Sequence, residues 1–146
     1  MAVTVPEMLK MSQTQLDDLF TQSPVGEIPK GEAKGTAIVA PGTTYTQDIA
    51  NFINHFAWQG KVFDPAKGVL RNKISPFGLN AIIAKVYKNS SWMDKKECIV
   101  LDYSETSLIA KKVRDEIREI EPGFYLGIVF WGKKRTIDFA LEFPKS

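Results

Sequence analysis

The stretch Leu108–Arg135, LIAKKVRDEIREIEPGFYLGIVFWGKKR, decides how the rest of the chain is read. In its first half Ile109, Val113, Ile117 and Ile120 fall within one narrow stripe at helical spacing. Lys112 and Glu116 stand four apart and can pair on a helix surface. The spacing therefore predicts a helix from Thr106 to Ile120, ended by Pro122-Gly123. An aromatic strand follows over Phe124–Trp131. Alternate residues of a strand share a face. Tyr125, Gly127, Val129 and Trp131 lie on one side, and Phe124, Leu126, Ile128 and Phe130 on the other. Both sides are apolar, so one is expected under covering helices and the other in a barrel interior. Thr136–Phe143 is a further strand, joined to the first by a hairpin at Gly132-Lys133-Lys134-Arg135.

Working towards the N-terminus, KECIVLDYS (Lys96–Ser104) and AIIAKVYKN (Ala81–Asn89) read as strands. WQGKVFDPAKGVLRNKIS, starting at Trp58, holds short strands punctuated by Gly60, Asp64-Pro65 and Gly68. Before it, Thr44 and Gln47 make a capping box, and Tyr45, Ile49, Phe52, Ile53 and Phe56 recur at helical spacing, which predicts a helix. GTAIVA (Gly35–Ala40) is a short strand stopped by Pro41-Gly42. In SPVGEIPKGEAKG, Ser23–Gly35, three glycines and two prolines predict a break without regular structure. One or two short helices precede it. Thr4 caps Pro6 and Glu7, and Ser12 with Gln15 caps a segment bearing Leu16, Leu19 and Phe20.

Most strands follow one another without an intervening helix. That excludes a doubly wound parallel sheet, which needs strand–helix alternation. The expected fold is α+β and mostly antiparallel β. It is a curled sheet or barrel of about 6–8 strands with two or three covering helices. It forms a single domain over 1–146, with 1–34 as a helical and loop lead-in.

The 146 residues, 44% hydrophobic and 25% charged, describe a globular chain able to build a core. A net charge of +2 is too small for a concentrated basic face, so no nucleic-acid partner is expected. Cys98 is the one cysteine, which excludes an intrachain disulfide, and it reads as a small buried strand residue. With a single histidine no metal site is expected, and no motif calls for a cofactor. No secretory signal is visible and no transmembrane segment is expected, so the default location is cytoplasmic.

Trp58 stands at a helix–strand corner, where its ring could plug a barrel end while Gly60 turns tightly beside it. His55 projects to the polar face of its helix, with no nucleophile tied to it by spacing. Lys30, Lys34 and the glycines around them lack the phosphate-loop pattern. Glu116 lies nearer the apolar stripe than any other charge of its helix. It is either a border residue reaching water or a partly buried carboxylate suited to acid–base work. Arg114 and Arg118 lie well round from that stripe and read as solvent or rim residues. Arg71, in a strand, could meet a carboxylate or phosphate head group if it points inward.

The segment Trp58-Gln59-Gly60-Lys61-Val62-Phe63 resembles small lipocalin-like (calycin-type) barrels and the uncharacterised bacterial domains named for a G-x-W-x-G signature. Phe56 stands where the signature's first glycine would fall. The charged segment Arg114–Arg118, followed by Tyr125-Leu126-Gly127, is a second likeness. The resemblance implies a β-barrel with a tryptophan at its closed end and an apolar cavity.

Together these expectations describe a barrel binding a small apolar or amphipathic molecule, such as a fatty acid. Trp58, Tyr87, Tyr103, Tyr125 and Trp131 would line it, and Arg71 or Arg114 would meet the polar head. A second reading is an isomerase, cyclase or hydrolase of a hydrophobic substrate, with Glu116, Asp102 or His55 as the acid–base residue. A filled barrel acting as an interaction module is a third, and a homodimer through Phe139–Phe143 is possible.

Overall fold

The computed structural model describes residues 3–38, 58–74, 79–106 and 111–144, without the side chains of 58, 59, 73, 74 and 79–82. Eight strands close into one antiparallel barrel: β1 (Gly31–Ile38), β2 (Trp58–Asp64), β3 (Val69–Ile74), β4 (Leu79–Ser90), β5 (Glu97–Asp102), β6 (Val113–Glu121), β7 (Phe124–Trp131) and β8 (Lys134–Glu142). Each strand pairs with the next, and β8 returns to pair with β1, Gly35 opposite Leu141. Closure leaves no unpaired sheet edge. Two helices precede the barrel, α1 (Val5–Met8) and α2 (Gln13–Gln22). The helix expected over Thr44–Phe56 lies outside the described residues.

The main correction concerns the opening stretch. Val113–Glu121 is strand β6, not part of a helix. It pairs with β5 through Ile99 opposite Ile117, and with β7 through Glu116 opposite Ile128. The misreading has a simple cause. A spacing of four, as in Val113 and Ile117, is one helical turn but also two strand repeats. What separates the two is the β-branched content of the apolar positions and the charge at Asp115, between two core residues. A second correction is at the supposed break. β1 begins at Gly31, four residues before the expected start at Gly35.

Ala33, Phe63, Leu70, Ala84, Val86, Ile99, Leu101, Val113, Ile117, Tyr125, Phe139 and Leu141 form the apolar cluster inside the barrel. A second apolar cluster covers the outside of β5–β8, where Cys98, Val100, Leu126, Ile128, Phe130 and Ala140 meet Met8, Leu16 and Phe20. The two faces of β7 thus divide as the alternation predicts. Burial pushes the Cys98 thiol up to about 12, so it remains an unreactive apolar filler.

α2 has ten residues, too few for independent stability in water. Its capping box is complete, with Ser12 Oγ accepting from the Gln15 backbone and the Gln15 side chain accepting from the Ser12 backbone. Burying Leu16 and Phe20 then contributes about 1.5–3 kcal/mol each. Polar anchors fix its rotation on the sheet. Gln13 donates to Asp138 on β8 at 3.1 Å, and Arg135 bridges Asp17 and Asp138.

The barrel ends differ. At one, the β2–β3, β4–β5 and β6–β7 connections are short, and the segment after α2 crosses over the interior. Val25, Ile28 and Phe143 pack on the core there. The Tyr125 hydroxyl donates to the Glu27 carbonyl at 2.6 Å, and the Phe143 ring lies 5.8 Å from Phe63 and 5.6 Å from Tyr125. The longer β1–β2 and β5–β6 connections both leave from the opposite end.

Gly60 and Gly127 are among the glycines that close approach requires. A Cβ on Gly60, where β2 is bulged against β3, would stand 2.0 Å from the Ala33 carbonyl oxygen of β1, and its φ is +151°. A Cβ on Gly127 would stand 2.2 Å from the Phe139 ring, which lies across β7 inside the barrel.

Two outcomes follow from this packing. Gly60→Ala collides with backbone that cannot move aside, so it should cost about 3 kcal/mol or more in urea denaturation. Gly132→Ala, at a turn where nothing lies within 4 Å but φ is +64°, should cost only about 1–2 kcal/mol. The second concerns pH. Burial raises Asp138 from 3.8 to about 6 against the opposing pull of Arg135. The folded state therefore holds this proton more tightly than the unfolded chain. The stability it contributes is complete below pH 3.8 and is lost as pH rises through about 6. The stability of the wild type relative to Asp138→Asn should accordingly fall between pH 4 and pH 7, by about 2–3 kcal/mol, in paired denaturation curves. A flat difference would mean the carboxyl is not perturbed.

Candidate functional site

Among the described residues, the polar side chains Lys61, Asn72, Tyr103 and Asp115 form a cluster inside the barrel. Lys61 on β2, Asn72 on β3, Tyr103 just after β5 and Asp115 on β6 are each no more than 3% exposed. Strand alternation puts them there. Lys61 shares a face with Phe63, Asn72 with Leu70, and Asp115 with Val113 and Ile117, all interior residues. Along the strands they lie towards the end from which the long connections leave, away from the Phe63–Tyr125–Phe143 plug.

Lys61 Nζ donates to Asn72 Oδ1 and to the Tyr103 hydroxyl, each at 2.7 Å, and stands 3.3 Å from Asp115 Oδ2. Asn72 Nδ2 donates to the Tyr103 oxygen at 2.8 Å, and the Tyr103 hydroxyl reaches Asp115 Oδ2 at 3.4 Å. Lys61 Nζ also sits 5.2 Å from the centre of the Phe139 ring, the ring that Gly127 leaves room for. Asp115 Oδ1 is buried with no hydrogen-bond partner among the described residues.

Burial sets the electrostatics. It lowers Lys61, with Asp115 pulling the other way, and it raises Asp115, with Lys61 pulling the other way. Both shifts favour the neutral partners, amine and carboxylic acid, over the ion pair. Burial and the nearby Asp115 charge hold Tyr103 well above its ordinary value, so the phenol keeps its proton.

Among the expected lining residues, Tyr103 and Tyr125 are interior, and partly exposed Trp131 packs against the interior cluster. Tyr103 joins the polar cluster, whereas Tyr125 belongs to the plug. Trp58 begins β2, but its side chain lies outside the described residues, as does His55 altogether. The other candidates are corrected. Arg71 is exposed on the outer surface of β3, because Leu70 and Asn72 take the inward positions. Tyr87 is on the outer face of β4 and donates to Asp102 Oδ2 at 2.8 Å. Burial pushes Asp102 up, but bonds from the Ser104 hydroxyl and backbone and from Tyr87 outweigh it and hold the carboxyl below its usual value. A general acid needs the opposite shift.

Glu116 and Arg114 are also outside the barrel. Glu116 is fully buried. Its carboxylate accepts from Ser91 Oγ at 2.5 Å, the Trp92 backbone at 2.8 Å and Arg114 Nη2 at 3.0 Å. The Arg114 guanidinium stacks 4.3 Å from the Trp92 ring. Arg118, expected at the rim, is 1% exposed. These side chains fasten the β4–β5 connection and α2 to the sheet and face no interior ligand.

Lys61, Asn72 and Asp115 escaped the sequence reading. The signal was a polar residue two positions from a core residue, in Lys61/Phe63, Leu70/Asn72 and Val113/Asp115/Ile117. For Asp115 the helical reading of its segment erased that signal.

Among the described residues no group of three or more His, Cys, Asp or Glu could hold a metal ion, and no helix is long and apolar enough to cross a membrane. No protein-family model matches the chain, and no curated protein matches it. A solved structure described as a protein from Thermomonospora curvata is similar in fold. It has a TM-score of 0.67 and 14% identity, and the match covers 93% of this chain and 90% of that one.

The buried cluster should behave as a cost to folding. Lys61→Met strands a buried carboxyl and should lose about 3–5 kcal/mol at neutral pH in urea denaturation. The double variant Lys61→Met/Asp115→Leu should recover most of that loss and match the wild type to within about 1–2 kcal/mol. A double variant far less stable than Lys61→Met would make the cluster a stabilising element of the fold.

Proposed function

We propose that the barrel binds a small amphipathic molecule, with its apolar part among the interior side chains and its polar end against Lys61, Asn72, Tyr103 and Asp115. The observation that carries this reading is the Asp115 carboxylate, buried inside the barrel with one oxygen lacking a hydrogen-bond partner among the described residues. An unsatisfied buried oxygen of this kind costs about 1–3 kcal/mol, and a ligand group that donates to it recovers that energy. Trp131 and Val129, partly buried against the interior cluster at the same end, supply apolar contact beside the polar group. The likeness to lipocalin-like barrels supports the same class of ligand. The single cysteine, which forms no intrachain disulfide, suits a cytoplasmic setting.

An enzyme acting on a hydrophobic substrate is the second reading. It is favoured by a buried amine and a buried carboxyl 3.3 Å apart, Lys61 and Asp115, which burial shifts in opposite directions. Isomerase, cyclase or hydrolase chemistry would then use these two residues in place of Glu116, Asp102 or His55.

Native mass spectrometry of the purified protein tests the binding reading, followed by titration with octan-1-ol and octanoate. A bound small molecule, or saturable uptake of one octanol per chain that weakens at least tenfold in Asp115→Leu, is the expected result. No bound species and no uptake of either compound would remove the proposal.

A further inference from the structure

We infer that Lys61 condenses with the carbonyl group of an aldehyde or ketone ligand to form a Schiff base inside the barrel. The inference deepens the proposed function and rests on the reading that the barrel takes an amphipathic molecule at this cluster.

Four features of the site fit this chemistry. The Lys61 amine is 3% exposed, and removal from water disfavours its ammonium form. Asp115 is 3.3 Å away and can take the ammonium proton, leaving a nucleophilic amine beside a carboxylic acid. Tyr103 and Asn72, each 2.7 Å from Nζ and 2.8 Å from one another, fix the direction of the amine. Asp115 Oδ1 is the remaining feature: it is buried with no hydrogen-bond partner among the described residues, and so has acceptor capacity for the hydroxyl that the reaction creates.

The step balances with these groups alone. The Lys61 lone pair forms the C–N bond, and the carbonyl π pair moves to oxygen. One proton passes from nitrogen to that oxygen, giving a carbinolamine whose hydroxyl donates to Asp115 Oδ1. Asp115 then gives up its proton, the C–O bond breaks, and water departs. Amine, carboxylic acid and aldehyde have become a protonated imine, a carboxylate and one water. Nothing is oxidised or reduced. The imine's positive charge faces the Asp115 carboxylate, which replaces the original ion pair with an equivalent one. An ester or a carboxylate would not yield this product, so the site distinguishes aldehydes and ketones from fatty acids.

Reductive trapping tests the inference on the intact chain. The protein is incubated with octanal at a concentration matched to the chain, cyanoborohydride is added, and the adduct is located by peptide mass spectrometry. Octanol uptake is measured in parallel. One octyl group per chain, mapped to Lys61, is expected, with exposed lysines such as Lys85 and Lys88 labelled at least tenfold less. Asp115→Asn keeps the amine and should slow trapping at least tenfold while the circular dichroism spectrum is retained. Labelling spread over exposed lysines with Lys61 unmodified would overturn the Schiff base. If octanol still binds in that case, the ligand-binding reading stands without it. If octanol does not bind either, both fall.

Discussion

Arg118 uses all five of its N–H groups. Two meet Asp94 at 2.7 and 2.8 Å, and the others meet the carbonyls of Phe20, Lys96 and Glu97 at 3.1–3.2 Å. The guanidinium also lies 4.5 Å from the Phe20 ring. This one side chain ties together the last turn of α2, the β4–β5 connection and β6. A buried cation is tolerated only when its donors are satisfied, so these three parts must come to the same place for any of them to be stable there. Asp94 is held below its ordinary value by the Arg118 bonds, against the opposing effect of burial.

The consequences run outward from that point. Fixing the end of α2 sets where the following segment starts, and that segment delivers Val25 and Ile28 across one end of the barrel. The Glu119 amide, one residue along β6, donates to the Pro24 carbonyl at 3.2 Å and holds it there. With that end filled by aromatic rings, the polar cluster lies towards the other. β6 therefore serves two layers. Its outward charges, Arg114, Glu116 and Arg118, fasten the covering elements, and its inward charge, Asp115, faces Lys61.

The two sets of charges differ in a way that bears on their use. The outward set is saturated: Glu116 has backbone, serine and arginine donors, and Arg118 has no N–H to spare. The inward set is pushed towards neutrality and includes a carboxylate oxygen with no partner among the described residues. Saturated buried ions specify a structure, and the incompletely satisfied inward set is where the proposed ligand is assigned.

The strands of the C-terminal half were legible because they have clear local signals. β7 alternates cleanly, so its faces and its hairpin with β8 could be read directly, although the turn is only Gly132-Lys133 and β8 begins at Lys134, two residues before the expected Thr136. The capping box of α2 was equally local. The sequence alone thus determined an antiparallel meander, the two-sided burial of β7 and a chain without a disulfide. The tertiary structure decided the rest. Val113 and Ile117 satisfy helix and strand periods alike, and only pairing with β5 and β7 selects the strand. Arg114, Glu116 and Arg118 carry the composition of a solvated face, and only the arrival of α2 and the β4–β5 connection buries them. Lys61, Asn72 and Asp115 come from three strands spread over 55 positions and meet because the sheet curls on itself. Periodicity is a property of neighbours along the chain, whereas a site inside a barrel is made by residues that only closure brings together.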